Sequence, residues 1–139
     1  WGRDRTAALV EKLFDRYGVT LIGFDVVNAE PDTSSGLPVL QRLADGPLKE
    51  IREFQDAFGT LRPRLDHDAI FAQTIKGRPV VLGYYFTDLE EARTTGVLPP
   101  PVLPAGTFSG RNIPFFPWRG FGGNLKEFQG AAASSGHFN

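Results

Sequence analysis

The sequence of 139 residues contains no cysteine and no methionine. Without cysteine, the fold has no disulfide and no zinc site built on thiolates. A chain of this length buries enough apolar surface to fold without such cross-links, so we expect one domain spanning residues 1–139. The lack of cysteine suits an oxidising compartment but does not by itself define one.

Methionine is missing even at the first position, which is Trp1. A natural open reading frame begins with methionine, so we expect the chain to be an excised piece of a longer protein. Long apolar runs are also missing: none reaches the roughly 18 to 20 residues that span a bilayer, and no signal-peptide pattern opens the chain. A membrane segment or partner domain would therefore lie outside these residues.

An excess of charge of either sign is absent as well, because 15 basic and 16 acidic residues give a net charge of −1. Without a basic field, nucleic acid is not an expected partner. The usual catalytic signatures are missing too: the Gly-x-Ser-x-Gly elbow, the Gly-Lys phosphate loop and the dinucleotide fingerprint. We therefore assign no cofactor and no catalytic residue.

A helix followed by a buried strand occurs twice along the chain. Residues 4–17 have helical spacing and precede the apolar run 19–27, and a helix capped by Asp66 precedes the run 79–86. Consecutive apolar positions are typical of strands covered on both faces, and parallel strands need crossover helices. The sequence therefore predicts an α/β fold with a mainly parallel sheet flanked by helices on both faces.

Two more helical segments complete this pattern. One covers residues 38–58 and should break at Gly46-Pro47, and the other opens with a capping box at residues 124–127, includes residues 131–133 and stops before Gly136. Two strands make a poor sheet. We therefore expect further short strands within residues 97–121, or neighbouring strands beyond the ends of this piece.

The candidate binding residues lie where the predicted strands end. Asp25, Glu30 and Asp32 follow the first strand, and Tyr85 and Asp88 lie at the end of the second. Open α/β sheets bind ligands at this edge, and three carboxylates can hold a divalent cation. In the structural alternative, Asp25 caps a turn while the other two acids are solvated or pair with arginine. We expect a ligand pocket from all five residues and assign no metal.

Two histidines invite a metal interpretation that the spacing does not favour. In Asp66-His67-Asp68, adjacent side chains at a helix start point in different directions, so an N-cap with two first-turn residues is the favoured interpretation. His137 has no second ligand at metal-binding spacing.

Residues 97–121 alternate prolines with phenylalanines and a tryptophan. Such a segment can form a small-molecule groove or a protein-docking surface, because aromatic side chains supply large contact areas. Alternatively, it is a loop that folds back to cover the sheet. The structural interpretation is favoured, because apolar side chains in a long loop need burial.

The order of motifs resembles the second class of CHASE domain, the cyclase and histidine-kinase associated sensory extracellular domain. The resemblance rests on residues 21–32, 68–75, 79–86, 122–125 and 131–139. Its most specific element is Phe-Asp-x-x-x-x-Glu-Pro-Asp at residues 24–32, and Trp1-Gly-Arg-Asp-Arg is similar to the stretch that opens the family's first helix. Asn28 departs from the pattern, because the family often has an aromatic residue there.

The resemblance implies an extracytoplasmic, periplasmic or extracellular, sensory input domain of a bacterial transmembrane receptor. Such a domain works as a homodimer, has no catalytic activity itself, and regulates an attached cytoplasmic adenylate or guanylate cyclase or kinase in response to an unidentified small-molecule or protein stimulus. Members carry one strand before the first helix and further strands after the Gly-x-Phe-Asn end. Both ends look trimmed here, so the sheet is expected to be incomplete.

Two rival functions follow from the residues alone. The first is a metal-dependent α/β hydrolase that uses Asp25, Glu30 and Asp32. The second is a protein-docking domain that uses the Pro- and Phe-rich loop 97–121.

Overall fold

The computed structural model describes residues 1–89 and 93–138. Within these residues the chain forms five α-helices, a π-helical turn and a four-stranded sheet. The helices are α1 (Arg3–Glu11, continued by the π-helical turn Lys12–Arg16), α2 (Leu37–Asp45), α3 (Arg52–Leu65), α4 (His67–Ile75) and α5 (Lys126–Ala131). The strands are β1 (Ile22–Phe24), β2 (Val80–Thr87), β3 (Gly120–Gly122) and β4 (Ser134–His137).

Strand β2 is the centre of the sheet, because it pairs with each of the other three strands. Strands β1 and β4 lie parallel to it, with Gly23 beside Val81 and Gly83 beside Gly136. Strand β3 is antiparallel and lies at the end of the region where a further short strand was expected. The predicted α/β class with a mostly parallel sheet is confirmed.

The hydrophobic core lies on the face of β2 that carries Val80 and Leu82. Helices α1, α4 and α5 pack against this face, and the ring of Phe71 meets that of Phe128 edge-on with centroids 5.1 Å apart. The fully buried members of the core are Ala7, Val10, Phe71, Ile75, Val80, Leu82 and Phe128. Each large side chain buried here contributes about 1.5–3 kcal/mol to the stability of the fold.

The opposite face of β2 carries Val81, Gly83 and Tyr85, because side chains alternate along a strand. It borders an open hollow of about 290 Å³ that Gly23 and Phe138 also line. The three helices of the core all pack on the Val80 side. Within the described residues, the helices that the apolar runs predicted therefore cover the Val80 face of the sheet. The face that carries Val81 and Gly83 opens to solvent.

The predicted helix over residues 4–17 is confirmed with a modified buried face. Val10 is buried and Phe14 packs against the core, whereas Leu9 and Tyr17 are exposed. The π-helical turn at Lys12–Arg16 rotates the last residues relative to an ideal helix. The chain leaves the helix at Gly18, whose φ of +65° lies in the left-handed region that favours glycine.

The break predicted at Gly46-Pro47 separates α2 from α3. Helix α3 runs to Leu65, beyond the predicted end at residue 58. The side-chain amide of Gln55 donates to the carbonyl oxygens of Ala44 at 2.9 Å and Leu48 at 3.1 Å. These carbonyls lie at the interruption, where a continuous helix would have bonded them internally, so Gln55 compensates for the break.

The first strand is much shorter than predicted. Only Ile22–Phe24 pairs with β2, whereas the apolar run covers residues 19–27. Leu21 and Val26 are 58% and 54% exposed. The chain leaves β2 after Phe24, so Val26 gains no cover from the sheet, and the run of apolar side chains overstates the strand.

The capping box predicted at residues 124–127 is wrong. The side chain of Asn124 is fully buried, accepts the N–H of Asn28 at 2.9 Å and donates to the carbonyl oxygen of Gly83 at 2.8 Å. It is therefore not available to cap α5, which begins at Lys126. The helix also ends at Ala131, so residues 132 and 133 lie outside it, and Gly136 belongs to β4 rather than stopping a helix.

None of the helices in residues 1–89 and 93–138 combines the length and the hydropathy needed to cross a membrane.

Candidate functional site

An arginine at the start of α1 joins three distant parts of the chain. The guanidinium of Arg3 forms an ion pair with Asp68 at the start of α4, and both side chains are 14% exposed. Its Nη2 donates to the carbonyl oxygen of Glu30, and its Nε donates to Oδ1 of Asn28 at 3.4 Å. The guanidinium also lies over the ring of Phe128, 5.1 Å from the centroid. Arg3 thus connects the core to the loop that follows β1.

Asp32 completes this connection from the loop side. Its Oδ2 accepts the main-chain N–H of Arg3 at 2.6 Å, and its own N–H donates to Oδ2 of Asp68 at 2.9 Å. Burial by itself raises the pKa of Asp32, but hydrogen bonds from the side chain and N–H of Ser34 and from the N–H of Arg3, with the nearby His67, lower that pKa to about 2. Asp32 is therefore ionised at neutral pH. We call Arg3, Asn28, Glu30, Asp32 and Asp68 the Arg3 network.

The side chains of Asp66, His67 and Asp68 have three separate roles. Asp66 caps α4, because its Oδ1 accepts the N–H of Ala69 at 2.9 Å, as predicted. Asp68 pairs with the guanidinium described above, and Nδ1 of His67 lies 3.5 Å from Oδ2 of Asp32. Among the residues that the structure describes, no three His, Asp or Glu side chains are placed to hold a metal ion together.

The loop after β1 is also fixed from the side of β3 and α5. Asn28 donates its N–H to Asn124 and accepts the N–H of Leu125 on its carbonyl oxygen at 2.8 Å. The side-chain oxygen of Asn28 meanwhile accepts from Arg3. A phenylalanine or tryptophan side chain at position 28 would not accept this bond, so Asn28 has a local role in this chain.

A cavity of about 530 Å³ opens beside the Arg3 network. Its lining consists of Arg3, Val27, Asn28, Ala29, Glu30, Tyr85 and Thr95. Tyr85 is packed over Gly122, where a Cβ would overlap the phenol ring. Thr95 is held by main-chain hydrogen bonds to Phe121 at 3.1 Å and Gly123 at 2.9 Å. The volume falls within the range of small-molecule sites. We call this cavity the Glu30–Tyr85 cavity.

Three of the five predicted site residues lie in or next to this cavity. Glu30 and Tyr85 line it, although they are 55 positions apart in the sequence. Asp32 does not line it but bonds to Arg3, which does. The carboxylate of Asp32 is thus engaged in holding the start of α1.

The other two predicted residues lie elsewhere. Asp25 lines the open hollow beside Val81, together with Gly83 and Phe138, and not the cavity. Asp88 forms an exposed ion pair with Arg119, with Nε and Oδ1 3.2 Å apart. The single pocket expected from all five residues is therefore not assembled, because the chain turns away from β2 immediately after Phe24.

Arg3 and Thr95 are site residues that the sequence analysis did not select. Arg3 had a signal in the Trp1-Gly-Arg stretch of the resemblance, but nothing in the sequence linked it to Glu30 or Asp68. Thr95 lies in a segment with no periodicity and comes to the cavity only through its pairing with the β3 region. Both positions depend on contacts between residues far apart in the chain.

The loop that we call the proline–aromatic loop, residues 98–118, does not fold back to cover the sheet in the way favoured above. Phe115 is 64% exposed, and Phe116 and Val102 are also exposed. Trp118 stacks on the sheet, with its ring centroid 5.9 Å from that of Phe86. The prediction of a covering loop is therefore wrong for most of its large apolar side chains.

The Glu30–Tyr85 cavity combines a carboxylate, a phenol and a hydroxyl beside a guanidinium whose charge is already paired. Such an arrangement can hold a small polar molecule by hydrogen bonds and charge. No family model, curated protein or solved structure matches this chain.

Proposed function

We propose that this chain is the extracytoplasmic sensory input domain of a bacterial membrane receptor, regulating an attached cyclase or kinase. The observation that supports this proposal is the convergence of the motifs behind the CHASE resemblance. Arg3 of the opening stretch, Glu30 and Asp32 of the most specific element, and Asp68 of the third motif bond to one another. Motifs that are far apart in the sequence therefore form one unit beside a cavity.

The sensing step that we propose is a shift between two arrangements of the loop after β1. A ligand in the Glu30–Tyr85 cavity contacts residues 27–30 and Arg3, the first residue of α1. A ligand shifts an equilibrium only by its differential affinity for the two states. A molecule that favours one position of this loop would therefore change the position of the start of α1, and a homodimer would transmit the change to the output domain.

A metal-dependent hydrolase receives less support from the geometry. Its three carboxylates would have to converge, but Asp25 lines a different hollow and Asp32 is engaged with the start of α1. We therefore propose a binding role for Glu30 and Tyr85 and no catalytic step.

The test uses the full-length protein in membrane vesicles and the 139-residue chain in solution. Metabolites that raise the melting temperature of the chain should change the cyclase or kinase rate of the full-length protein. Thr95→Trp, which fills the cavity, should suppress both responses, whereas Thr107→Trp in the exposed loop should suppress neither. If the gene encodes neither membrane segments nor an output domain beside this region, the proposal is wrong. Sedimentation measurements would test the homodimer.

A second candidate, the protein-docking domain, is favoured by one observation: the apolar exposure of the proline–aromatic loop. Phe115 and Phe116 present aromatic surface that soluble proteins seldom leave uncovered without an interaction partner. Replacing both by serine should abolish binding to a co-encoded partner without lowering the melting temperature. If the double substitution leaves partner binding unchanged, this candidate fails.

A further inference from the structure

We infer that the Glu30–Tyr85 cavity binds a small organic ammonium ion. This inference rests on the sensory function proposed above and names the chemical class of its ligand. It follows from which charges near the cavity are already paired, from the residue types in the lining, and from the shape of the site.

The positive charge of the lining is already compensated. Arg3 forms an ion pair with Asp68, and each of its three guanidinium nitrogens has an acceptor in Asp68, Asn28 or Glu30. Asp68 lies outside the cavity lining, and Glu30 accepts through its main-chain oxygen. An anionic ligand would have to compete with them, so Arg3 is a poor anchor for a carboxylate or phosphate.

The negative charge is not compensated. The carboxylate of Glu30 has no ion-pair or hydrogen-bond partner among the described residues, and Glu30 is exposed at the cavity. Asp32 and Asp68 lie close behind Arg3, and His67 lies 3.5 Å from Asp32, so three acidic side chains, with Glu30, outnumber two basic ones in this region. The local field therefore favours a cation.

The remaining lining favours an organic cation over a metal ion. A divalent cation needs several oxygen ligands, whereas the cavity offers one acidic side chain. It also offers the phenol of Tyr85, which is 37% exposed, and the apolar side chains of Val27 and Ala29. Aromatic rings attract ammonium groups, and apolar walls accommodate the carbon substituents of such groups.

The test measures choline binding to the 139-residue chain by calorimetry at constant ionic strength. The matched ligand control is the neutral isostere of choline, in which a tert-butyl group replaces the trimethylammonium group. We expect choline to bind and the isostere not to bind. Equal binding of both ligands, or preference for a carboxylate such as acetate, would overturn the inference.

Variants locate the bound cation. Glu30→Gln should weaken choline binding about tenfold, since it removes the free charge and keeps the main-chain bond to Arg3. Tyr85→Leu should weaken it by a similar factor, and Tyr85→Phe should retain most of the affinity. Asp88→Asn, the matched control with a carboxylate outside the cavity, should leave the dissociation constant within about twofold.

Amide NMR on the unaltered chain provides a measurement that does not depend on any variant folding. Choline should shift the signals of residues 27–30 and Thr95, and shifts confined to other regions would contradict the inference. The two proposals fail separately. If a non-ammonium metabolite binds the cavity and alters the receptor output, the ligand class is wrong and the sensory function stands. If choline binds but no ligand alters the output, the sensory function is wrong and the ligand class stands.

Discussion

The Arg3 network and the proline–aromatic loop reverse the usual relation between residue type and burial. Asn124, which fixes the loop carrying the network, is 0% exposed, and the side chains of Arg3 and Asp68 are 14% exposed. Phe115 in the proline–aromatic loop is 64% exposed. Polar side chains are therefore buried in and around the Arg3 network, whereas aromatic side chains such as Phe115 are exposed in the proline–aromatic loop.

The difference between the two regions lies in their bonding partners. Hydrogen bonds within the network join residues 25 to 65 positions apart, and the bond that fixes Asn28 to Asn124 spans 96 positions. The main-chain bonds within the loop join residues two or three positions apart, as between Thr107 and Pro104. Long-range polar bonds hold a segment against the sheet, whereas a local turn positions only itself. The network should therefore resist change and the loop should tolerate it.

The largest expected contrast compares two phenylalanines. Phe71→Ala leaves a cavity between Phe24 and Phe128 and should lower the free energy of unfolding by about 3–5 kcal/mol. Phe115→Ala in the loop should change it by less than about 0.5 kcal/mol. Urea denaturation measures both, and a similar loss in the two variants would contradict the comparison.

The next contrast compares two asparagines. Asn124→Leu leaves the N–H of Asn28 and the carbonyl of Gly83 without their partner, which should cost about 2–4 kcal/mol. Asn112→Leu in the exposed loop is the matched control and should be nearly neutral. Chemical denaturation of both variants measures the difference. If the Asn124 variant is as stable as the unaltered chain, the two buried hydrogen bonds of Asn124 do not stabilise the fold.

A third contrast compares neighbouring arginines in the first turn of α1. Arg3→Met leaves the largely buried carboxylate of Asp68 without its cation and should lower the stability by about 2–3 kcal/mol. Arg5→Met removes only an exposed pair with Asp4, with Nε and Oδ2 3.6 Å apart, and should lie within about 0.5 kcal/mol of the unaltered chain. Thermal and urea unfolding at pH 7 provide the measurement. Equal effects of the two substitutions would place Arg3 among ordinary surface charges.

The smallest contrast is a pH dependence. The folded pKa of Asp32, about 2, lies below its ordinary value of 3.8, so its contribution to stability is complete above 3.8 and is lost as the pH falls towards 2. Asp32→Asn should therefore be about 2 kcal/mol less stable than the unaltered chain at pH 6, and the gap should close near pH 2. Urea unfolding across this range measures the gap. A gap that is the same at both pH values would rule out ionised Asp32 as its source.

Periodicity predicted the helices better than the strands. Residues 4–17, the break at Gly46-Pro47 and the cap at Asp66 depend on neighbours within a few positions, and each was confirmed. The extent of β1 depends on how long the chain stays beside β2, which no local pattern records. The capping box failed for a related reason, since Asn124 bonds to strand residues far away in the sequence.

For the candidate site, the strand-end rule selected Glu30, Asp32 and Tyr85 from residue type and position. It could not separate them from Asp25 and Asp88, because all five residues lie at or beyond the same edge of the sheet in the sequence pattern. The structure distinguishes them through their partners: Asp32 binds the start of α1, Asp88 pairs with Arg119, and Glu30 and Tyr85 line the cavity.

The sequence by itself determined the α/β class, the cap at Asp66, the break at Gly46-Pro47, and the strand ends near which the candidate residues lie. These features follow from short-range spacing of apolar, capping and turn residues. Only the tertiary structure decided that Arg3 meets Asp68, that Asn124 is buried and that the aromatic loop is exposed. Each of these outcomes depends on which residues, distant in the sequence, form hydrogen bonds or pack against one another. The burial of a side chain is set by its neighbours in space, which the local sequence does not specify.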